Sequence, residues 1–123
     1  MPDNDETGRV LRAQWLHSLD EIANLELQRR MWLDPANKNW HWSYVEFVCG
    51  YPDADQLADA QKKGWLSPGE TQILLEFGRV LLSHKSPTGN DFDNEAVLND
   101  PAWHEVARAA QAARHRISTL ARN

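Results

Sequence analysis

Apolar positions along this chain recur at helical spacing in nearly every stretch that is free of Pro and Gly. The clearest instance is Trp65 to His84. Ser67 is a natural N-cap, Pro68 suits the first helical position, and Glu70 stands three residues after the cap to complete a capping box. Ile73, Leu74, Phe77, Val80 and Leu81 follow on one face, with Glu76 and Arg79 opposite. The pattern predicts a central helix over 68–84, with Trp65 and Leu66 packed back over its first turn.

Upstream, helix-favouring residues run from about Glu6 to Trp32, after a polar N-terminus (1–6) expected to fray. Leu11, Trp15, Leu19, Ile22 and Leu25 trace one stripe. One long helix, or two with a bend near Ser18, satisfies it equally, and Asp34-Pro35 ends it. In 39–52, Trp40, Tyr44, Phe47 and Val48 again keep helical spacing, and Ser43 with Glu46 repeats the capping-box pattern. The β-branched and aromatic content makes a short strand the rival, but a helix from Ser43 to Cys49, closed by Gly50, is preferred. Asp53 or Asp55 can cap a short helix through Lys63, with Gly64 placed as a C′ glycine.

Residues 85–97 are rich in Gly, Pro, Asn and Asp and read as a loop of about ten residues, long for a compact domain. A helical turn at Asn94–Leu98 would close it. Asp100-Pro101 then opens the last helix, whose stripe is Trp103, Val106, Ala110, Ala113, Ile117 and Leu120. The expected fold class is all-α: a single-domain irregular bundle of about five helices over 1–123.

Composition narrows the possible roles. The 123 residues are 41% hydrophobic and 25% charged, which suits a globular domain with a real core. A net charge of −5 argues against direct nucleic-acid binding and favours either plain solubility or a basic partner. A single cysteine allows no internal disulfide. The acidic N-terminus lacks the apolar core of a signal peptide, and no run is long enough for a membrane span, so a cytoplasmic location is expected.

Candidate chemistry is sparse. The five histidines form no metal-binding spacing with one another, so neither a metal nor a cofactor is expected. The run from Asp91 has Ala96 where a calcium loop needs Gly and Ala102 where it needs Glu. Cys49 with His41 could pair as nucleophile and base, but its apolar neighbours favour a buried small hydrophobe. No catalytic residue is assigned. Asp91, Asp93 and Glu95 around Phe92 have the composition of a docking loop for a basic surface. They equally suit a solvated loop of turns and caps. Asp53 and Asp55 are secondary candidates.

Several segments carry a resemblance. They are Met31-Trp32, residues 42–47, Gly64 to Ser67 with Glu70, Leu81-Leu82, Ser86-Pro87, residues 90–93 and residues 97–103. Across about 25–115 the chain resembles small all-helical bacterial immunity proteins, encoded beside contact-dependent growth-inhibition or polymorphic toxins. The resemblance implies tight binding to a cognate toxin domain, often a basic nuclease, by masking its active site or an essential surface. It places no family site on any residue. Self-association through the Trp103–Leu120 stripe and a small enzyme using Cys49, His41 or His104 are the alternatives.

Overall fold

A computed structural model describes residues 4–34, 36 and 43–120. The expectations for Trp40, His41 and Trp42, and for Pro35 as the helix terminator, fall outside these residues. Within them the protein is all-helical, with no strand. The helices are α1 (Asn4–Ala23), α2 (Leu25–Trp32), α3 (Tyr44–Cys49), α4 (Ala54–Lys62), α5 (Pro68–Ser83), α6 (Asn94–Leu98) and α7 (Pro101–Leu120). The described residues thus form seven helices, two more than expected.

One extra helix comes from a break in the first apolar stripe. It falls at Asn24, six residues beyond the expected bend at Ser18. Asn24 leaves helical geometry at φ −102° and ψ 81°, and its Oδ1 accepts from the Leu27 amide at 3.0 Å, starting α2. Ser18 stays in the helix, its hydroxyl donating back to the Gln14 carbonyl at 3.1 Å. At the break the Glu21 carbonyl accepts from the Asn24 amide at 3.2 Å, and a side chain reaches both it and the Ile22 carbonyl. Gln28, fully buried, donates through Nε2 to the Glu21 and Ile22 carbonyls at 2.8 and 2.9 Å. Its Oε1 accepts from the Trp103 indole at 2.8 Å. One amide therefore joins α1, α2 and α7.

The expected caps are in place. Ser67 and Glu70 form a reciprocal capping box on α5, and Asp53 with Gln56 forms another on α4. Gly64 lies at φ +80°; its amide donates to Gln61 and that of Trp65 to Ala60, the paired bonds of a Schellman closure. Gly50 ends α3 without a left-handed conformation, at φ −81°.

A cluster of buried side chains runs through these helices. α1 and α5 both pack on α7, α4 on α5, and α2 on α6. Leu19 and Ile22 of α1, Leu74 and Leu81 of α5, and Trp103, Ala110 and Ile117 of α7 are all but inaccessible. Trp103 is the hub of the aromatic packing, its ring centroid 5.1 Å from Tyr44, 5.2 Å from His84 and 6.1 Å from Trp32. Trp65 reaches α1 instead, closing on Gly8 so tightly that a Cβ there would lie 2.2 Å from the ring. Arg12 of α1 pairs with Glu70 in the first turn of α5.

Three expectations are corrected. Val80, on the α5 stripe by spacing, is 40% exposed, at the edge of a groove lined by α5 and α7. Leu120 is equally exposed, although it lies against Gly69. Cys49 is exposed, not buried.

Candidate functional site

The loop 85–93 leaves α5 at His84 and enters α6 at Asn94. Its shape is set by its own polar groups. Ser86 is buried, and its hydroxyl donates to the Asn90 carbonyl at 2.8 Å. Gly89, at φ +76°, donates its amide back to the Ser86 carbonyl at 3.1 Å. Asn90 Oδ1 accepts from the Phe92 amide at 3.0 Å, and its carbonyl accepts from Asp93 at 3.1 Å. The outcome is an ordered turn that leaves Phe92 78% exposed, the most exposed large apolar side chain among the described residues.

The six candidate residues separate by role. Asp91 and Phe92 on this loop and Glu95 in the first turn of α6 are each exposed. Asp93 is the N-cap of α6, its carboxylate accepting from the Ala96 amide at 3.1 Å. Asp53 is likewise the N-cap of α4, and Asp55 is exposed in that helix's first turn. Among the described residues no hydrogen bond or ion pair joins Asp53 or Asp55 to the loop.

Beneath the loop lies a cluster that sequence reasoning missed. The Tyr44 hydroxyl is 2.8 Å from His84 Nδ1, and His84 Nε2 is 2.9 Å from Asp100 Oδ2. Asp100 uses its other oxygen to cap α7, accepting from the Ala102 amide at 3.0 Å. A carboxylate can only accept, so His84 donates to it through Nε2, while the Tyr44 hydroxyl sits between Nδ1 and, at 3.5 Å, the His84 carbonyl. Tyr44 also donates its backbone amide to Asn94 Oδ1 at 3.2 Å.

An Asp–His–hydroxyl chain invites a catalytic reading, but its chemistry runs the other way. Tyr44 and His84 are both buried. Burial, with Asp91 and Asp100 nearby, pushes the Tyr44 phenol up to about 12, whereas a nucleophilic phenolate needs the opposite shift. The Tyr44–His84–Asp100 chain is a largely buried network of hydrogen bonds.

Other candidates stand apart from the loop. His104 donates to the Leu98 carbonyl at 2.6 Å, and His17 lies 3.7 Å from Glu21. No three His, Cys, Asp or Glu among the described residues are grouped to hold a metal. A groove of about 750 Å³ runs between the end of α1 and the C-terminal half of α7. Its charged walls are already paired, Arg114 with Asp20 at 3.4 Å and Arg108 with Glu105. The α7 stripe, the candidate face for self-association, is core from Trp103 to Ile117. No helix among the described residues is long and apolar enough to cross a membrane.

No protein-family model matches this sequence, and no curated protein or solved structure is significantly similar to it.

Proposed function

We propose that this chain is a binding protein that neutralises a cognate toxin domain with a basic surface, as its resemblance to immunity proteins implies. It acts in this reading as one irregular helical domain in the cytoplasm, blocking its partner sterically and electrostatically. The observation that carries the proposal is Phe92, held out on an internally bonded loop between Asp91 and Glu95. A Phe left in water gains about 2–3 kcal/mol on burial. A loop already ordered gives up little further entropy when it docks, so more of that gain survives as affinity. Acidic neighbours on a chain of net charge −5 speed encounter with a cationic partner.

Asp93 shapes the experiment. Reversing its charge would remove the cap of α6, so the charge test belongs on Asp91→Lys with Glu95→Lys, and Asp93→Asn removes charge while keeping a capping side chain. The partner is taken from the source lysate by co-purification and its isolated domain assayed for binding. Phe92→Ala should weaken affinity at least tenfold, mainly through faster dissociation. The double reversal should slow association and flatten its salt dependence. Unchanged kinetics in both variants would remove the loop from the interface.

A further inference from the structure

The loop's two stems are separated by ten residues in sequence yet meet on a single side chain and its own backbone. At the first stem, His84 Nδ1 shares a 2.8 Å hydrogen bond with the Tyr44 hydroxyl, and its Nε2 donates to Asp100 at 2.9 Å. At the second stem, Asn94 Oδ1 receives the Tyr44 amide proton at 3.2 Å. Tyr44 therefore touches both ends of the loop, and Asp100 ties the first of them to the start of α7. The ring of Trp103 packs edge-on against Tyr44 and His84, which keeps water from competing for these bonds.

We infer that Tyr44 and His84 form a latch that positions the 85–93 loop, holding Asp91 and Phe92 in their presented arrangement. The inference rests on reading this loop as the docking surface. Neither latch residue would itself touch the partner, since both lie beneath the loop and are buried. Their role is to fix the stem spacing, so that the short bonds around Ser86 and Asn90 can define one loop conformation in place of many. With the latch cut, the loop would sample other shapes, and the ordering cost would return at the moment of binding.

The informative variant is Tyr44→Phe. It keeps the ring against Trp103 and the amide bond to Asn94 while removing the hydroxyl bonded to His84 Nδ1. Asp100→Asn is the companion, since it retains a capping side chain for α7 and loses the charge that holds His84 Nε2. Amide exchange is followed by NMR on the protein alone, at Gly89, Phe92 and Asp93 in the loop and at Leu74 and Ala110 in the core. In both variants the loop amides should exchange about five- to tenfold faster through local opening, the effect of losing one buried hydrogen bond. Loop amides that stay at the wild-type rate while the core amides quicken would overturn the latch and leave an ordinary core hydrogen bond. If Tyr44→Phe does not fold, Asp100→Asn decides the matter by the same comparison. Partner affinity is measured separately. An inert Phe92→Ala sinks the interface and leaves the latch standing, whereas unaltered loop exchange sinks the latch alone.

Discussion

Replacing Gln28 with Met tests the packing of the first and last helices with almost no change in side-chain volume. Gln28 is inaccessible to solvent and satisfies three groups at once: the Glu21 and Ile22 carbonyls and the Trp103 indole. Met fills the space but offers no donor and only a weak acceptor. The Trp103 N–H and the Ile22 carbonyl then stay buried and unpaired, at about 1–3 kcal/mol each. The Glu21 carbonyl is only partly buried and can turn to water, and the more apolar thioether returns some of the loss. A net destabilisation of about 3 kcal/mol follows, a large share of the roughly 5–15 kcal/mol that holds a typical domain together. For a chain of this size it should appear as a fall in Tm of about 10 °C. Urea denaturation followed by circular dichroism gives the free energy directly. A cycle with Trp103→Phe isolates the shared bond. Either change alone breaks it, so the double variant should be less destabilised than the sum by about 1 kcal/mol. A Gln28→Met loss below about 0.5 kcal/mol, or strict additivity in the cycle, would refute the shared bond.

The tyrosines and Gly8 give two further tests. Tyr44 ionises at about 12 in the fold, and Tyr51, buried with its hydroxyl on the Leu74 carbonyl at 2.7 Å, is raised as well, against an ordinary value of 10.0. The unfolded chain therefore sheds these protons first, so the stability tied to them is complete below about pH 10 and falls as pH rises through 12. Near-ultraviolet phenolate absorbance should stay flat until unfolding begins, and a rise centred near pH 10 in the folded protein would contradict the burial of both rings. Gly8→Ala should gain about 1 kcal/mol of helix propensity yet lose more to the Trp65 ring, for a net cost of about 1–2 kcal/mol by thermal melting. A stabilised Gly8→Ala would mean that Trp65 moves aside freely.

Local chemistry made much of this fold legible. Ser67 with Glu70, Asp100 with Pro101 and the glycine at 64 are short-range signals, satisfied by neighbours within a few residues. The break at Asn24 was harder to see, because the apolar stripe from Leu11 to Leu25 continues across it and one Asn is a faint signal. Val80 and Cys49 were misjudged for a related reason. Spacing says which residues share a face, but the width of the covered arc depends on how neighbouring helices are placed. The docking loop was recognisable as acidic and aromatic, yet composition cannot separate Asp93, spent on a cap, from Asp91, which is free to face a partner. The network beneath it was invisible, since Tyr44 and His84 lie 40 residues apart and His84 and Asp100 a further 16. Gln28 and Trp103, 75 residues apart, raise the same difficulty.

That last separation bears on how the chain is made. A ribosome delivers α1 and α2 long before the residues that complete them. Until Trp103 emerges, the Gln28 amide has no donor to accept from, and until Ala110 and Ile117 follow, Leu19 and Ile22 lack the helix that covers them. The α1–α2 pair is thus born with an apolar flank open to chaperones and proteases, and closure waits for α7 to be synthesised. Premature termination before α7 would leave Leu19 and Ile22 without the helix that covers them.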